Sequence, residues 1–135
     1  MRRPCDRCGE REAVIRIESL NESICDKCLS VRIWRRVKSV LDHEIEDGDV
    51  IVSALSGGKD SSLTLYYLWK YKKELDRDFD IVAVTIDEGT CYRAESISKA
   101  KEFTSRLGVK HRIVKMSEIF AFSIPQVQIL LSNPK

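Results

Sequence analysis

The chain has 135 residues, of which 43% are hydrophobic and 33% are charged, a composition typical of an ordinary globular protein. It contains no run of about 18 apolar residues that would span a membrane, and its amino terminus lacks the apolar stretch of a signal peptide. We therefore expect a cytoplasmic protein that is not attached to a membrane. Lys and Arg outnumber Asp and Glu over positions 1–40, whereas acidic residues are slightly in excess over positions 41–135. The basic first segment indicates either a polyanionic partner such as a nucleic acid or a solvated helix face.

Four cysteines near the amino terminus form two closely spaced pairs, Cys5-x2-Cys8 and Cys25-x2-Cys28. The interval between the pairs lies within the range of zinc-binding motifs. Two residues between the members of a pair allow one tight turn to aim both sulfurs at one ion. Residues 13–17 and the region of Ile24 suit the hairpin of a zinc ribbon. We predict a structural Zn²⁺ ion with four cysteine ligands; two disulfides, four free thiols or an iron–sulfur cluster are the alternatives.

A basic helix is predicted over residues 29–45. Apolar residues recur along it at spacings of three and four, and its arginines mostly face the other way. Acidic residues and Gly48 end it, with Gly48 suited to the helix carboxyl terminus. We predict three parts: a zinc knuckle over residues 1–30, a connecting helix over residues 31–46, and the first part of an ATP-binding domain over residues 47–135.

Strands and helices alternate over the remaining residues. Strands are predicted at 50–55, 81–86 and 109–114, the first two suited to burial on both faces. Helices are predicted at 60–72, 94–107 and, briefly, 116–120, whereas residues 121–135 show no strong period. This alternation implies right-handed crossovers and a partial doubly wound parallel sheet of the α/β class, preceded by the zinc ribbon. Three strands are few for such a sheet, so we expect the chain to be part of a longer protein.

A glycine-rich loop follows the first strand of this domain and opens its first helix. It reads Ser56-Gly57-Gly58-Lys59-Asp60-Ser61. The two glycines allow the backbone to approach an oxyanion, the helix amino terminus adds unpaired N–H donors, and Lys59 adds positive charge. The loop differs from a Walker P-loop, because Asp60 follows the lysine in place of Ser or Thr. We predict a phosphate-binding loop with Lys59 and Asp60 as candidate catalytic residues; a Gly-Gly turn with a helix-capping aspartate is the alternative.

The loop resembles the PP-loop of the N-type ATP pyrophosphatases, which split ATP into AMP and pyrophosphate while adenylating a substrate. With the four cysteines, the basic helix, and Ile86-Asp87-Glu88-Gly89 followed by Tyr92-Arg93, the chain is similar to the tRNA 2-thiolation enzymes. The resemblance implies an adenine nucleotide alpha hydrolase-like fold. It also implies that ATP, with Mg²⁺, is bound by Ala54, Leu55, Ser56, Gly57, Gly58, Lys59, Asp60, Ser61, Ile86 and Asp87.

For the reaction, the resemblance implies that a tRNA base oxygen attacks the α-phosphate and that a sulfur donor then displaces AMP. The donor would be sulfide or a ubiquitin-like sulfur carrier, and a homodimer is possible. In these enzymes, further cysteines downstream of the third strand bind an iron–sulfur cluster or handle sulfur, and this sequence stops before them. We therefore expect no tRNA thiolation by this chain alone. The fifth cysteine, Cys91, is expected to be a loop or partly buried thiol and not a sulfur carrier.

Two other functions remain open from the sequence: a zinc- and nucleotide-binding module without catalysis, and a PP-loop enzyme that adenylates a small molecule. Asp87 and Glu88 are suited either to contact Mg²⁺ or ribose or to cap their loop. The two histidines are expected to have no chemical role, and Trp34 and Trp69 are expected to pack in the core.

Overall fold

The structure is a computed structural model that describes residues 3–132. Residues 1–2 and 133–135, which the predicted first and last parts include, lie outside the described residues. The chain forms two compact units, Met1–Glu44 and Ile45–Lys135. The division into three functional parts stays a prediction.

The first unit is a small hairpin followed by a long helix. Strands β1 (Ile15–Ile17) and β2 (Glu22–Ile24) pair antiparallel, with Ile15 opposite Ile24, and a 3-10 turn at Glu18–Leu20 joins them. This confirms the predicted hairpin. Helix α1 (Asp26–Glu44) begins three residues before the predicted start. It ends at Glu44, so Gly48 is not its terminal glycine; Gly48 lies in the following turn with a φ of +92°.

The second unit is a three-stranded parallel sheet with helices between the strands. Its elements in chain order are β3 (Val50–Ala54), α2 (Lys59–Leu75), β4 (Asp80–Asp87), α3 (Arg93–Leu107), β5 (Lys110–Lys115), α4 (Met116–Phe120) and α5 (Ile124–Ser132). The strand order is β3-β4-β5, and both neighbouring pairs are parallel. The predicted α/β class and parallel sheet are therefore confirmed.

The sheet buries one face and exposes much of the other. Ser53, Ala83 and Thr85 are buried, whereas Val50 and Val52 are 62% and 64% exposed. The prediction that residues 50–55 are buried on both faces is therefore wrong for this strand. The chain crosses the sheet in one direction only, and right-handed crossovers then place both connecting helices on the same face.

The core of the second unit lies between α2 and the buried face of the sheet. Leu65, Leu68 and Tyr71 of α2 are buried, and the ring of Tyr71 lies 6.1 Å from that of Phe79. The tryptophans predicted in the core, Trp34 and Trp69, are only half-buried. The buried stripe of α2 thus includes the ring of Tyr71 but leaves that of Trp69 half-buried.

The last helix was not predicted. Helix α5 spans Ile124–Ser132, where the sequence has no strong period. A local hydrogen bond stabilises its start, since the backbone N–H of Ser123 donates to Gln126 Oε1 at 2.6 Å. Pro125 lies in the first turn, where the backbone needs no N–H donor. Local capping therefore places a helix where hydrophobic periodicity gave no signal.

Candidate functional site

The first candidate site is the cluster of Cys5, Cys8, Cys25 and Cys28. Their ligand atoms all lie within 4.8 Å of one another, and Cys8 Sγ lies 3.9 Å from Cys25 Sγ. In a tetrahedron with metal–sulfur bonds of about 2.3 Å, sulfurs are separated by roughly 3.8 Å. A disulfide requires about 2.05 Å, and all four cysteines are free. The four cysteines therefore fit a tetrahedral metal ion and not two disulfides.

The surroundings of the cluster favour a bound cation. Burial raises the pKa of Cys5, but hydrogen bonds from the backbone, of which the one at Cys25 contributes most, outweigh this effect. The net result is a pKa lowered to about 6. Burial and the neighbouring thiols raise the pKa of Cys28 to about 12. Four thiolates so close together repel one another unless a positive ion lies between them.

The protein fixes the cluster with backbone contacts. The carboxylate of Asp6 accepts a hydrogen bond from the backbone N–H of Ser23 at 2.7 Å, which connects the turn of the first cysteine pair to β2. That hydrogen bond is also the main reason why the pKa of Asp6 is lowered. Ile24 is fully buried in one apolar cluster with Cys5 and Cys25. The hairpin therefore brings the two pairs together in space.

The second candidate site is the glycine-rich loop between β3 and α2. Gly57 has a φ of +82°, and a Cβ atom on it would lie 2.5 Å from the backbone oxygen of Ser96 in α3. Gly58 has extended backbone angles and is the N-cap residue of α2, so this helix end has no cap from the side chain of its own N-cap residue. The backbone N–H of Gly58 donates to Ser56 Oγ at 3.3 Å. The loop therefore lies directly against α3, and the helix amino terminus beside it is suited to an anion.

Serine hydroxyls stabilise the shape of the loop. Ser56 Oγ lies 3.0 Å from Ser61 Oγ, and the backbone N–H of Ser56 donates to Ser61 Oγ at 3.2 Å. The hydroxyl of Ser62 donates to the carbonyl of Gly58 at 2.8 Å. Ser56 and Ser61, both among the predicted ATP-binding residues, are thus brought together. Lys59 and Asp60 are exposed in the first turn of α2, and their catalytic role stays a prediction.

The ends of β3 and β4 lie beside the loop, as expected for a nucleotide site. Ala54 and Ile86 are exposed, whereas Leu55 is buried. The backbone N–H of Leu55 donates to the Val84 carbonyl at 2.8 Å. Asp87 Oδ1 accepts a hydrogen bond from the N–H of Gly89 at 2.9 Å, so this carboxylate caps its own loop in the structure. The geometry brings together the residues predicted to flank the nucleotide.

Behind the loop lies a partly buried polar network that the sequence did not predict. The hydroxyl of Thr85 donates to the carbonyl of Leu55 at 2.6 Å, and His111 Nε2 lies 2.8 Å from the same hydroxyl. The other ring nitrogen of His111 lies 3.2 Å from Thr104 Oγ1. Burial lowers the pKa of His111, with a smaller effect from Lys101. His111 lies in β5, and its ring connects this strand through Thr85 to the strand end before the loop.

Arg93 was not among the predicted site residues, although the sequence resemblance included it. It begins α3, and its guanidinium donates to the carbonyls of Ser56 and Ile86, each at 3.0 Å. Cys91, two residues earlier, is exposed. A Tyr-Arg pair just after a strand end was the available signal for Arg93, but only the fold shows which carbonyls it reaches.

Among the described residues, no helix is both long and apolar enough to cross a membrane. A sequence profile described as the tRNA methyl transferase HUP domain matches residues 49–130, more than half of the chain. Cytoplasmic tRNA 2-thiolation protein 1 of Oryza sativa subsp. japonica is 28% identical over 93% of this chain and 35% of that protein. The protein of the same name from Chlamydomonas reinhardtii is 24% identical over 93% of this chain and 36% of its own length.

Two solved structures are similar in fold. The U34-tRNA thiolase NcsA from Methanococcus maripaludis, solved with its 4Fe–4S cluster, has a TM-score of 0.82 at 24% identity and covers 97% of this chain and 44% of that chain. NAD⁺ synthetase from Burkholderia pseudomallei has a TM-score of 0.50 at 17% identity over 82% of this chain and 44% of that chain. Both likenesses concern the fold alone.

The chain thus spans about a third of the length of the curated relatives that it matches. The resemblance to tRNA 2-thiolation enzymes drawn from the loop and the cysteines is confirmed by these relatives, and the adenine nucleotide alpha hydrolase-like fold is confirmed by the profile and by the structural likeness. On the profile match over residues 49–130, the chain belongs to the tRNA methyl transferase HUP domain family.

Proposed function

We propose that the chain is the zinc- and ATP-binding part of a cytoplasmic tRNA 2-thiolation enzyme, which adenylates a tRNA base and releases pyrophosphate. The observation that supports this most strongly is the loop at Gly57 and Gly58, which leads into α2 through an N-cap glycine that has no side chain to cap the helix. A helix amino terminus that follows a glycine backbone is suited to phosphate groups. The choice of tRNA as the acceptor is supported by the relatives named tRNA 2-thiolation proteins.

The proposed reaction has two steps. An oxygen of the tRNA base attacks the α-phosphorus of ATP, so the base becomes an adenylate and pyrophosphate leaves. A sulfur nucleophile then attacks the base carbon, and AMP leaves with the original oxygen. The protein contributes mainly by positioning the phosphates and neutralising their charge.

Each predicted site residue has a proposed role in that positioning. The backbone from Ser56 to Ser61 surrounds the β- and γ-phosphates, Lys59 neutralises charge on them, and Asp60 orients water on the Mg²⁺ that accompanies ATP. Ala54, Leu55, Ile86 and Asp87 flank the adenosine at the carboxyl ends of β3 and β4, where open α/β sheets bind ligands. The exposure of Lys59 and Asp60 agrees with contact to a ligand.

We assign the metal of the four-cysteine cluster as structural Zn²⁺. The cluster offers four sulfur ligands and no open position, which suits a structural site and not a catalytic one. An iron–sulfur cluster on the same four cysteines is the competing assignment. The whole sequence has five cysteines, so Cys91 alone remains outside this site. We therefore propose that sulfur transfer requires cysteines beyond this chain and that the chain alone does not thiolate tRNA.

We propose tRNA as the partner and a ubiquitin-like sulfur carrier or sulfide as the sulfur source, with a homodimer possible. The basic residues of the first unit agree with a nucleic-acid partner, since Lys and Arg outnumber Asp and Glu over positions 1–40. Positive charge attracts the phosphates of tRNA to this unit and does not recognise the base sequence of the tRNA.

The test is ATP binding and tRNA-dependent pyrophosphate release, with Lys59→Ala as the variant. Lys73→Ala is the matched control, because Lys73 is an exposed lysine at the other end of the same helix. We expect Lys59→Ala to weaken ATP binding about tenfold or more, and the control to bind like the unmodified chain.

ATP binding without pyrophosphate release in the presence of tRNA would favour a non-catalytic module. Release that does not depend on tRNA would favour a small-molecule acceptor. Equal ATP binding by both variants would remove Lys59 from the site.

A further inference from the structure

Arg93 links the phosphate loop to the neighbouring strand end. Its Nη1 donates to the carbonyl of Ser56 at 3.0 Å, and its Nη2 donates to the carbonyl of Ile86 at 3.0 Å. Ser56 is the first residue of the loop, and Ile86 is the penultimate residue of β4. One side chain therefore joins the two backbone segments between which a nucleotide would bind.

The two carbonyls lie where β3 and β4 no longer pair with each other. The β3–β4 ladder ends with Ala54 opposite Val84, so Ser56 and Ile86 lie beyond its last pair. A guanidinium, with several N–H groups in one plane, is suited to bridge the two segments there. Within the described residues, Arg93 Nε is buried and has no hydrogen-bond partner. The two Nη groups therefore make the contacts that hold this side chain in place.

The same helix contacts the loop a second time. Ser96, three residues after Arg93, lies on the same side of α3, and its carbonyl leaves room only for a glycine at position 57. Arg93 thus fixes the start of the loop, and the backbone at Ser96 fixes its next residue. Helix α3 determines where the loop lies relative to β4.

We infer that Arg93 is a positioning residue, which holds the phosphate loop at the distance from β4 that ATP requires. This inference rests on the proposed function, because it assigns Arg93 to the same nucleotide site. The residue acts through the backbone at Ser56 and not by touching a phosphate. Lysine is a poor replacement, since a single ammonium on a flexible stem does not span two separate carbonyls in a fixed geometry.

The test uses the full chain with Arg93→Lys and Arg93→Ala. Arg106→Ala is the matched control, because Arg106 lies near the other end of the same helix, where it pairs with Glu102 and is 75% exposed. ATP affinity is measured by calorimetry well below each variant's unfolding temperature, and amide hydrogen exchange over residues 55–62 is measured without nucleotide. Methylguanidine at millimolar concentration is then added to Arg93→Ala.

We expect ATP to bind roughly tenfold or more weakly to both Arg93 variants, as for the loss of hydrogen bonds from a charged donor. Exchange over residues 55–62 should be faster, and methylguanidine should restore part of the affinity of Arg93→Ala. A purely structural role would lower the unfolding temperature without any such rescue. If folded Arg93→Lys binds ATP like the Arg106→Ala control and shows the same exchange, the inference is overturned. If the unmodified chain itself binds no ATP, the proposed function fails, while the exchange measurement still decides whether Arg93 positions the loop.

Discussion

Replacing Gly57 with alanine tests the geometry of the phosphate loop most directly. Gly57 has a φ of +82°, a region in which an L-residue costs roughly 1–2 kcal/mol. The added Cβ would also lie 2.5 Å from the carbonyl oxygen of Ser96, whereas ordinary contacts begin at 3.4 Å. The neighbour is helix backbone, so it does not move alone. The loop or α3 must therefore shift by about 1 Å, a displacement that costs on the order of 100-fold in rate where groups must be aligned.

Gly108→Ala separates backbone strain from the clash. Gly108 ends α3 with a φ of +65°, and no described atom lies within 4 Å of a Cβ added there. We expect this control to be destabilised by about 1 kcal/mol and to bind ATP normally. Gly57→Ala should lose more stability and bind ATP at least about tenfold more weakly. Thermal unfolding and calorimetric titration with ATP measure the two effects.

The reasoning is refuted if Gly57→Ala binds ATP within about twofold of the unmodified chain. Such a result would mean that the loop accepts a displacement of about 1 Å, or that ATP does not bind against it. Equal destabilisation of the two glycine variants would also refute the reasoning. It would show that the backbone at Ser96 moves aside and that the close approach of Gly57 to α3 does not affect stability.

The remaining predictions concern the metal and pH. Cys25→Ser should reduce bound zinc, measured by elemental analysis, from one ion per chain to nearly none, with circular dichroism reporting the fold. Cys91→Ser is the control and should keep its zinc. Loss of zinc in both variants would place the ion elsewhere. Because burial lowers the pKa of His111, the unfolded chain takes up a proton at higher pH than the folded chain. Stability is therefore complete above about pH 6.5, the ordinary value for histidine, and decreases as the pH falls through the folded-state pKa. Urea unfolding at pH 7.5 and 5.5 should show this decrease, and His111→Gln should reduce it; an unchanged difference in that variant would assign the effect to other groups.

The two candidate sites could be predicted from the sequence because each is carried by closely spaced residues. The Cys-x2-Cys pairs specify tight turns, and the loop from Ser56 to Ser61 is contiguous. Short-range geometry determines which sulfurs meet within each pair and which amides point together in the loop, and the hairpin then brings the two pairs together. Strands were predicted from short apolar runs and helices from apolar residues spaced three and four apart, and the structure confirms the hairpin, the parallel sheet and the helix that ends at Gly108.

Helix α5 and the exposed face of β3 escaped prediction for different reasons. Helix α5 depends on a local cap at Ser123 and Gln126, a signal weaker than hydrophobic periodicity. The exposure of Val52 depends on where the connecting helices pack. A continuous apolar run does not distinguish a strand covered on one face from a strand covered on both faces. The exposure of Val52 is therefore not encoded by the residues of its strand alone, whereas α5 has a local signal that hydrophobic periodicity does not detect.

The sequence by itself therefore determined which residues form the two candidate sites and the order of the elements that carry them. Only the tertiary structure decided that Arg93 bridges the carbonyls of Ser56 and Ile86, that Gly57 lies against Ser96, and that His111 supports the strand end before the loop. The physical reason is separation along the chain. Most of these partners belong to different strands and helices, and they meet only after the crossovers have placed α3 and β5 beside the loop, so no local pattern specifies them.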